Sequence, residues 1–245
     1  MTKVLVIGDV CEDVYVYGKC ERMSPAAPVP IFVETHRRSN LGMAGNVNEN
    51  LLSLGVATDL LCQIGDIPVK TRYVSEKTNH MVLRVDNDAQ VGRISHPRVE
   101  ELINYDAIVI ADYDKGSLSE EDLIYLCESH PRVFVDTKKI ISHELQEAAF
   151  LIKINEEEFE RTKHTVPRAD NLIVTLSENG CAYQGERFPV EKVDVKDLAG
   201  AGDTFMAGLV SSWLKCGDIK TAISFANECA TKVVQMRGVN VVGSI

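Results

Sequence analysis

An α/β fold, with a mainly parallel central sheet covered by helices on both faces and a small β lid beside it, is predicted by three observations. Short β-branched runs alternate with helical patterns along the chain, as in parallel strands joined by crossover helices. Two segments break that alternation and read as a separate small sheet. The run Asp197-Leu198-Ala199-Gly200-Ala201-Gly202-Asp203-Thr204-Phe205 joins a tight small-residue turn to a helix start, an arrangement that accepts an anion.

The elements follow in order. Residues 4–7 are apolar and end at Gly8, a buried strand. Residues 29–34 lie outside the regular pattern. A helix is expected over 46–54 and a strand over 57–62. The halves of 72–86 flank Lys77-Thr78-Asn79 and read as an antiparallel hairpin. Further strands fall at 107–111, 133–136, 150–154 and 172–176, with helices between them at 119–127 and 142–147. Ser119 is the expected N-cap of the first of these helices, and Asp122 completes its capping box. After Asp203, residues Phe205, Met206, Leu209, Val210, Trp213 and Leu214 follow a helical stripe. Gly217 can end that helix and Asp218 can cap the next, whose apolar face runs through Ala222, Phe225, Ala226, Cys229 and Val233. Those stripes are core.

At 245 residues and 45% hydrophobic content the chain can bury one substantial core. A single domain over 1–245 is expected, with lid segments at about 11–40 and 67–88. The formal net charge of -10 and the lack of a Lys/Arg-rich run argue against a nucleic-acid footprint. No apolar run reaches membrane-spanning length, and the N-terminus reads as a strand and turn rather than a signal peptide. A cytoplasmic protein is expected. The seven cysteines are scattered without a C-x-x-C pair, which suits reduced thiols better than disulfides or zinc.

Chemistry concentrates at 197–205. Gly200 and Gly202 let backbone N–H groups approach a ligand oxygen, and the helix that follows leaves its first N–H groups unpaired. A carboxylate there would repel a phosphate, so Asp203 is costly unless it takes a proton from an attacking hydroxyl or helps hold a metal ion. An acid in a first helical turn after a glycine loop is also an ordinary structural feature. No G-x-x-x-x-G-K-[ST] loop is present, and the G-x-G-x-x-G spacing fails at Phe205.

Three blocks occur in order along nearly the whole chain: Gly42-Met43-Ala44-Gly45-Asn46, Asn155-Glu156-Glu157-Glu158 and Gly200-Ala201-Gly202-Asp203. Together they resemble the ribokinase-like (PfkB) carbohydrate kinases. Within that family, Met23-Ser24-Pro25-Ala26-Ala27-Pro28-Val29-Pro30, Ala111-Asp112-Tyr113-Asp114-Lys115-Gly116 and Asp136-Thr137-Lys138 resemble the kinases of heptose 7-phosphate in lipopolysaccharide precursor biosynthesis. The resemblance implies a three-layer α/β/α fold, ATP and Mg²⁺ as cofactors with a monovalent cation a further candidate, and pairing of two copies through lid strands. It makes Asp203 the base, with Gly200, Ala201 and Gly202 forming the anion hole. Asp9, Asp13, Gly42, Asn46 and Lys115 fall at sugar-binding positions. Lys138, Asn155, Glu158, Thr175, Ser177, Gly180 and Asn227 fall on the nucleotide side, and Asn155 with Glu158 would position Mg²⁺ through water, as a hard cation that keeps its waters requires. Short polar residues at strand ends are also turn formers, so Asp13, Ser177 and Asn227 have structural readings too.

The sequence departs from that pattern at Met43, Gly45 and Leu198-Ala199. It is shorter than its relatives between Gly65-Asp66 and Val69-Lys70, and again between Phe159 and Asn171. Trimming on the acceptor side predicts weaker discrimination among sugars. No H-x-G-H nucleotidyltransferase motif is present, so the activity fused to some relatives is not expected from this sequence. The expected activity is phosphorylation of the anomeric hydroxyl of a heptose 7-phosphate to the 1,7-bisphosphate. The alternatives are another sugar or sugar-phosphate acceptor, or a nucleotide-binding regulatory protein without turnover.

Overall fold

The computed structural model describes residues 2–166, 170–236 and 238–244. Strand β1 (Lys3–Gly8) runs directly into β2 (Val10–Met23), which turns back as β3 (Pro30–Met43) and enters helix α1 (Ala44–Ser53). Then come β4 (Ala57–Cys62), the hairpin β5 (Val69–Ser75) and β6 (Met81–Asn87), and a single turn α2 (Val99–Leu102). Three strand–helix pairs follow, β7 (Ala107–Asp112) with α3 (Glu120–Ser129), β8 (Val133–Thr137) with α4 (His143–Ala148) and β9 (Leu151–Asn155) with α5 (Glu156–Thr162), and then β10 (Leu172–Thr175) leads into β11 (Cys181–Tyr183) and β12 (Glu186–Phe188). Two long helices, α6 (Ala201–Cys216) and α7 (Ile219–Val233), complete the chain.

Eight strands form the main sheet in the order β12-β11-β10-β9-β8-β7-β1-β4. From β10 to β4 every pairing is parallel, while β11 and β12 add an antiparallel edge. Side chains on a strand alternate between faces, and both faces here are apolar. Val4 and Val6 pack with Val47 and Leu51 of α1 and Leu209, Val210, Ala222 and Ala226 of α6 and α7. Leu5 and Ile7 pack the other way, with Leu123, Leu126 and Leu145 of α3 and α4. The predicted helical layers on both faces follow from that double burial.

The helix ends obey their local chemistry. Gly217 takes the left-handed conformation (φ 69°) that stops α6, and the Asp218 carboxylate accepts from the Thr221 N–H at 2.7 Å to start α7. Ser119 accepts from the Asp122 N–H while Asp122 accepts from the Ser119 N–H at 2.6 Å, the expected capping box. Replacing Ser119 by Ala is expected to cost about 1 kcal/mol, read as a lower urea midpoint with an unchanged slope.

A second sheet, in the order β3-β2-β5-β6, is built from segments 10–43 and 69–87. The β5–β6 hairpin is antiparallel as expected. The segment at 29–34 is part of a much longer strand: β2 and β3 are each 14 residues long. Most of β3 is exposed and carries Glu34, His36, Arg37 and Arg38, so it shows no hydrophobic alternation. Strands β11 and β12, three residues each, were not expected, because so short a run has no readable period. The chain passes straight from β4 to β5 where a shortening is expected, and β4 is the edge of the main sheet. In the second shortened region, residues 167–169 lie outside the described residues. Among the described residues no helix is long and apolar enough to cross a membrane.

Candidate active site

The site gathers at the carboxyl ends of the parallel strands, beneath the second sheet. There α6 begins at Gly200, whose positive φ of 80° suits glycine and where a Cβ would lie 2.6 Å from the Asn46 Nδ2. The Asp197 carboxylate ties the preceding turn together, accepting from the N–H groups of Ala199 at 2.9 Å and Gly238 at 3.0 Å. The Ala201 N–H turns back to the Leu198 carbonyl at 3.3 Å. The first-turn N–H groups of Gly202 and Asp203 therefore remain for an anion.

Asp203, the third residue of α6, is buried to 3% exposure. Its Oδ1 accepts from the Tyr113 hydroxyl at 2.5 Å and its Oδ2 from Asn46 Nδ2 at 3.0 Å. Burial pushes its pKa up to about 6, opposed by the hydrogen bonds from Tyr113 and Asn46 and assisted by the negative charge of Asp136. A carboxylate so tuned is ionised at neutral pH and still basic enough to take a proton. Tyr113 is held far above the ordinary phenol range by burial and by Asp203, so it stays a donor.

The predicted sugar-side residues have divided roles. Asp9 is committed to the loop after β7: its oxygens accept from the Tyr113 N–H at 2.8 Å, the Lys115 N–H at 3.3 Å and the Ser117 hydroxyl at 2.6 Å. Asp13 of β2 is paired with Arg72 of β5 across the second sheet. Gly42 opposes Cys11 on the neighbouring strand, and a Cβ there would lie 2.1 Å from an Asp13 oxygen. Asn46 reaches the base directly and is itself held by Asn50, whose Nδ2 donates to its Oδ1 at 3.0 Å. The Lys115 ammonium pairs with Asp88 at 3.2 Å.

On the other side, Asn155 and Glu158 form a reciprocal cap at the start of α5, with Asn155 Oδ1 accepting from the Glu158 N–H and Glu158 Oε2 accepting from the Asn155 N–H, each at 2.8 Å. Glu158 Oε1 takes the Lys138 ammonium. Burial works against the Lys138 charge, but Asp136, Glu158 and Asp203 together raise its pKa. Thr175 donates to the Ile154 carbonyl at 3.3 Å. Ser177 opens a single 3₁₀ turn closed by Gly180, where a Cβ would lie 2.0 Å from the Phe188 carbonyl oxygen. Asn227 donates to that same Phe188 carbonyl at 3.0 Å. Gly180 and Asn227 thus fix β12 beside the turn at Ser177–Asn179. Among the described residues no group of three or more His, Cys, Asp or Glu could hold a metal ion.

Sequence reasoning missed three site residues. Tyr113 stands inside a quoted motif, yet nothing in the motif says that its hydroxyl reaches Asp203. Lys153 is buried to 3% exposure in β9, its ammonium 2.5 Å from Asp136 and 3.1 Å from where a Gly202 Cβ would stand. The signal was available, since a lysine inside Leu-Ile-Lys-Ile is out of place in a buried strand without a partner. Asp136 completes the cluster, and its Oδ1 is buried with no partner.

Comparison with known proteins shows the family and the fold. Residues 119–243 match the family described as pfkB family carbohydrate kinase. A "Bifunctional protein HldE" of Helicobacter acinonychis is 32% identical over 295 residues, taking in 97% of this chain and 64% of that protein. The protein of the same name from Nitratiruptor is 32% identical over 283 residues, covering 95% and 61%. The chain spans less than two thirds of the length of these curated relatives, and the alignments are longer than the chain, so the relatives carry internal positions with no counterpart here. Among solved structures, ribokinase from Thermotoga maritima superposes with a TM-score of 0.72 at 15% identity, covering 98% of this chain and 95% of that one. Arabidopsis thaliana ribokinase, complexed with ribose and ATP, gives 0.67 at 15% identity, covering 100% and 95%. These structural likenesses establish the ribokinase fold.

Proposed function

The chain belongs to the pfkB family of carbohydrate kinases, and from that premise we propose that it transfers the terminal phosphoryl group of ATP to the anomeric hydroxyl of a heptose 7-phosphate. The class, a phosphotransferase with an alcohol acceptor, is that of the family. The acceptor is the proposal. The observation that carries the reading is Asp203, a buried carboxylate with a pKa near 6 at the head of α6, beside backbone N–H groups left for an anion. Phosphoryl transfer needs alignment and charge neutralisation more than a strong base. In the transfer the acceptor oxygen bonds to phosphorus as its proton passes to Asp203, and ADP leaves.

The residues fit a hydrated Mg²⁺. Asp136 Oδ1 is a buried acceptor lacking a partner, and Glu158 is a buried carboxylate whose Oε1 faces the Lys138 ammonium. One or two carboxylates and retained waters are what Mg²⁺ takes. Asp136, Glu158 and Asn155 would hold it through water, where it would neutralise phosphate charge. Lys138, just after β8, and Lys153, on β9, supply fixed positive charge beside Asp136.

A different sugar phosphate is the second reading, favoured by the shortened passage from β4 to β5, which leaves β4 as a sheet edge. Coupled ADP release against hexoses, heptoses and their phosphates tests both. Heptose 7-phosphate is expected to give the highest kcat/KM, with shorter sugar phosphates within roughly 10–200-fold. A preferred hexose would overturn the acceptor, and ATP binding without turnover on any sugar would favour a nucleotide-binding regulatory protein.

A further inference from the structure

We propose that the Tyr113 hydroxyl is a placeholder for the acceptor hydroxyl: it occupies Oδ1 of Asp203 until the sugar displaces it, and so keeps water off the base. The inference rests on the kinase reading above and concerns what the base does between turnovers.

Both oxygens of Asp203 are engaged, and the two partners differ in kind. Asn46 donates from the body of α1 and is itself fixed by Asn50, so Oδ2 has a permanent partner. Tyr113 donates from the loop after β7, whose backbone Asp9 holds at the Tyr113 and Lys115 N–H groups, while its side chain has no hydrogen-bond partner other than Asp203 among the described residues. Its ring has two ammonium groups within cation–π range, Lys138 at 5.2 Å from the ring centroid and Lys70 of β5 at 6.0 Å. The placeholder requires the phenol to swing off Oδ1 when the acceptor enters. With Oδ2 held by Asn46, Oδ1 is the oxygen left for the acceptor's proton, and the placeholder takes the acceptor O–H to enter along the direction in which the phenol O–H now stands.

The physical need is specific to a kinase. Water is always present at high concentration, and a water molecule on Oδ1 could attack the terminal phosphorus of bound ATP, pass its proton to Asp203 and release ADP and phosphate. The phenol holds that place without comparable risk, because its proton stays on oxygen beside an ionised acid. The charged and titratable groups around Asp203 from the other elements are Cys11 on β2, Asp136 on β8, Lys138 after it and Lys153 on β9. None of them donates a hydrogen bond to Oδ1 among the described residues.

Tyr113→Phe removes the hydroxyl and keeps the ring. Once matched to the parent by thermal melting and by ATP binding in calorimetry, the variant is expected to raise ADP release without acceptor, relative to release with acceptor, at least ten-fold. The pH profiles supply a readout that a structural role would not give. Loss of the phenol bond raises the pKa of the base in the free enzyme, so the acid limb of kcat/KM moves to higher pH. The acid limb of kcat, which reports the complex after displacement, stays in place. In the unsubstituted protein the ζ-carbon NMR resonance of Tyr113 is expected to shift when acceptor binds. An unchanged ratio of hydrolysis to transfer, acid limbs that move together, or a resonance indifferent to acceptor would each overturn the placeholder. If the parent turned over no sugar while the variant hydrolysed ATP faster, the acceptor assignment would fail and the placeholder would stand.

Discussion

Asp203→Asn is expected to lower turnover by about 10²–10⁴-fold while ATP still binds, because the acceptor hydroxyl loses its proton acceptor but the anion site of α6 is backbone. The same substitution is expected to stabilise the fold at neutral pH. In the folded protein burial raises the Asp203 pKa from 3.8 to about 6, so the native state binds a proton more readily than the unfolded chain. Above pH 6 the ionised group is a cost, and that cost disappears as pH falls through 6 towards 4. Removing the charge recovers on the order of 2 kcal/mol above pH 6 and nothing near pH 4. Melting curves of both proteins at pH 4 and 8, with single-turnover ADP release, check the two limbs together. Lost turnover with a lower melting temperature at pH 8 would mean that the carboxylate is a structural acceptor for Tyr113 and Asn46. In the parent, activity is expected to fall as pH drops below about 6, as the base takes up its proton.

The legible parts of this fold are those that the core dictates. Strands β1, β4, β7, β8, β9 and β10 each carry apolar residues to a helical layer, so their composition announced them and their parallel pairing. The second sheet was only half visible. Its hairpin has a polar turn at Lys77-Thr78-Asn79, but β3 is exposed along most of its length and its charged residues carry no period. The site divides in the same way. Gly200, Gly202 and Asp203 are contiguous, and a turn, a helix start and an acid in one run can be read without coordinates. Tyr113, Asn46 and Lys153 meet Asp203 or Gly202 only because the loop after β7, the head of α1 and strand β9 converge there. Sequence separations of 90 and 157 residues from Asp203 to Tyr113 and Asn46 leave no local mark. Asp9 carries the clearest lesson: its carboxylate accepts three hydrogen bonds from the loop that carries Tyr113, a fixing role that its place in the motif does not announce.

Lys153 gives the second large expected effect, one that separates scaffold from chemistry. Its ammonium and the Asp136 carboxylate are 2.5 Å apart at 4% and 2% side-chain exposure. Deleting one member of such a pair leaves an uncompensated buried charge, so Lys153→Met is expected to destabilise the fold by about 3–5 kcal/mol. Pairing it with Asp136→Leu removes both charges and is expected to restore most of that loss, since two buried ions are desolvated at a cost that their attraction only partly offsets. Turnover should not return with stability. The ammonium lies 3.1 Å from the Cβ position of Gly202 in the first turn of α6, and on the proposed function its charge would face the peripheral oxygens of the transferring phosphoryl group. Loss of one such preorganised donor lowers kcat by about 10²–10³-fold. Urea unfolding and ADP release on the single and double variants therefore give opposite answers: a refolded but slow double variant assigns the Lys153–Asp136 pair to the reaction, whereas recovery of both would make the pair a strut between β8 and β9.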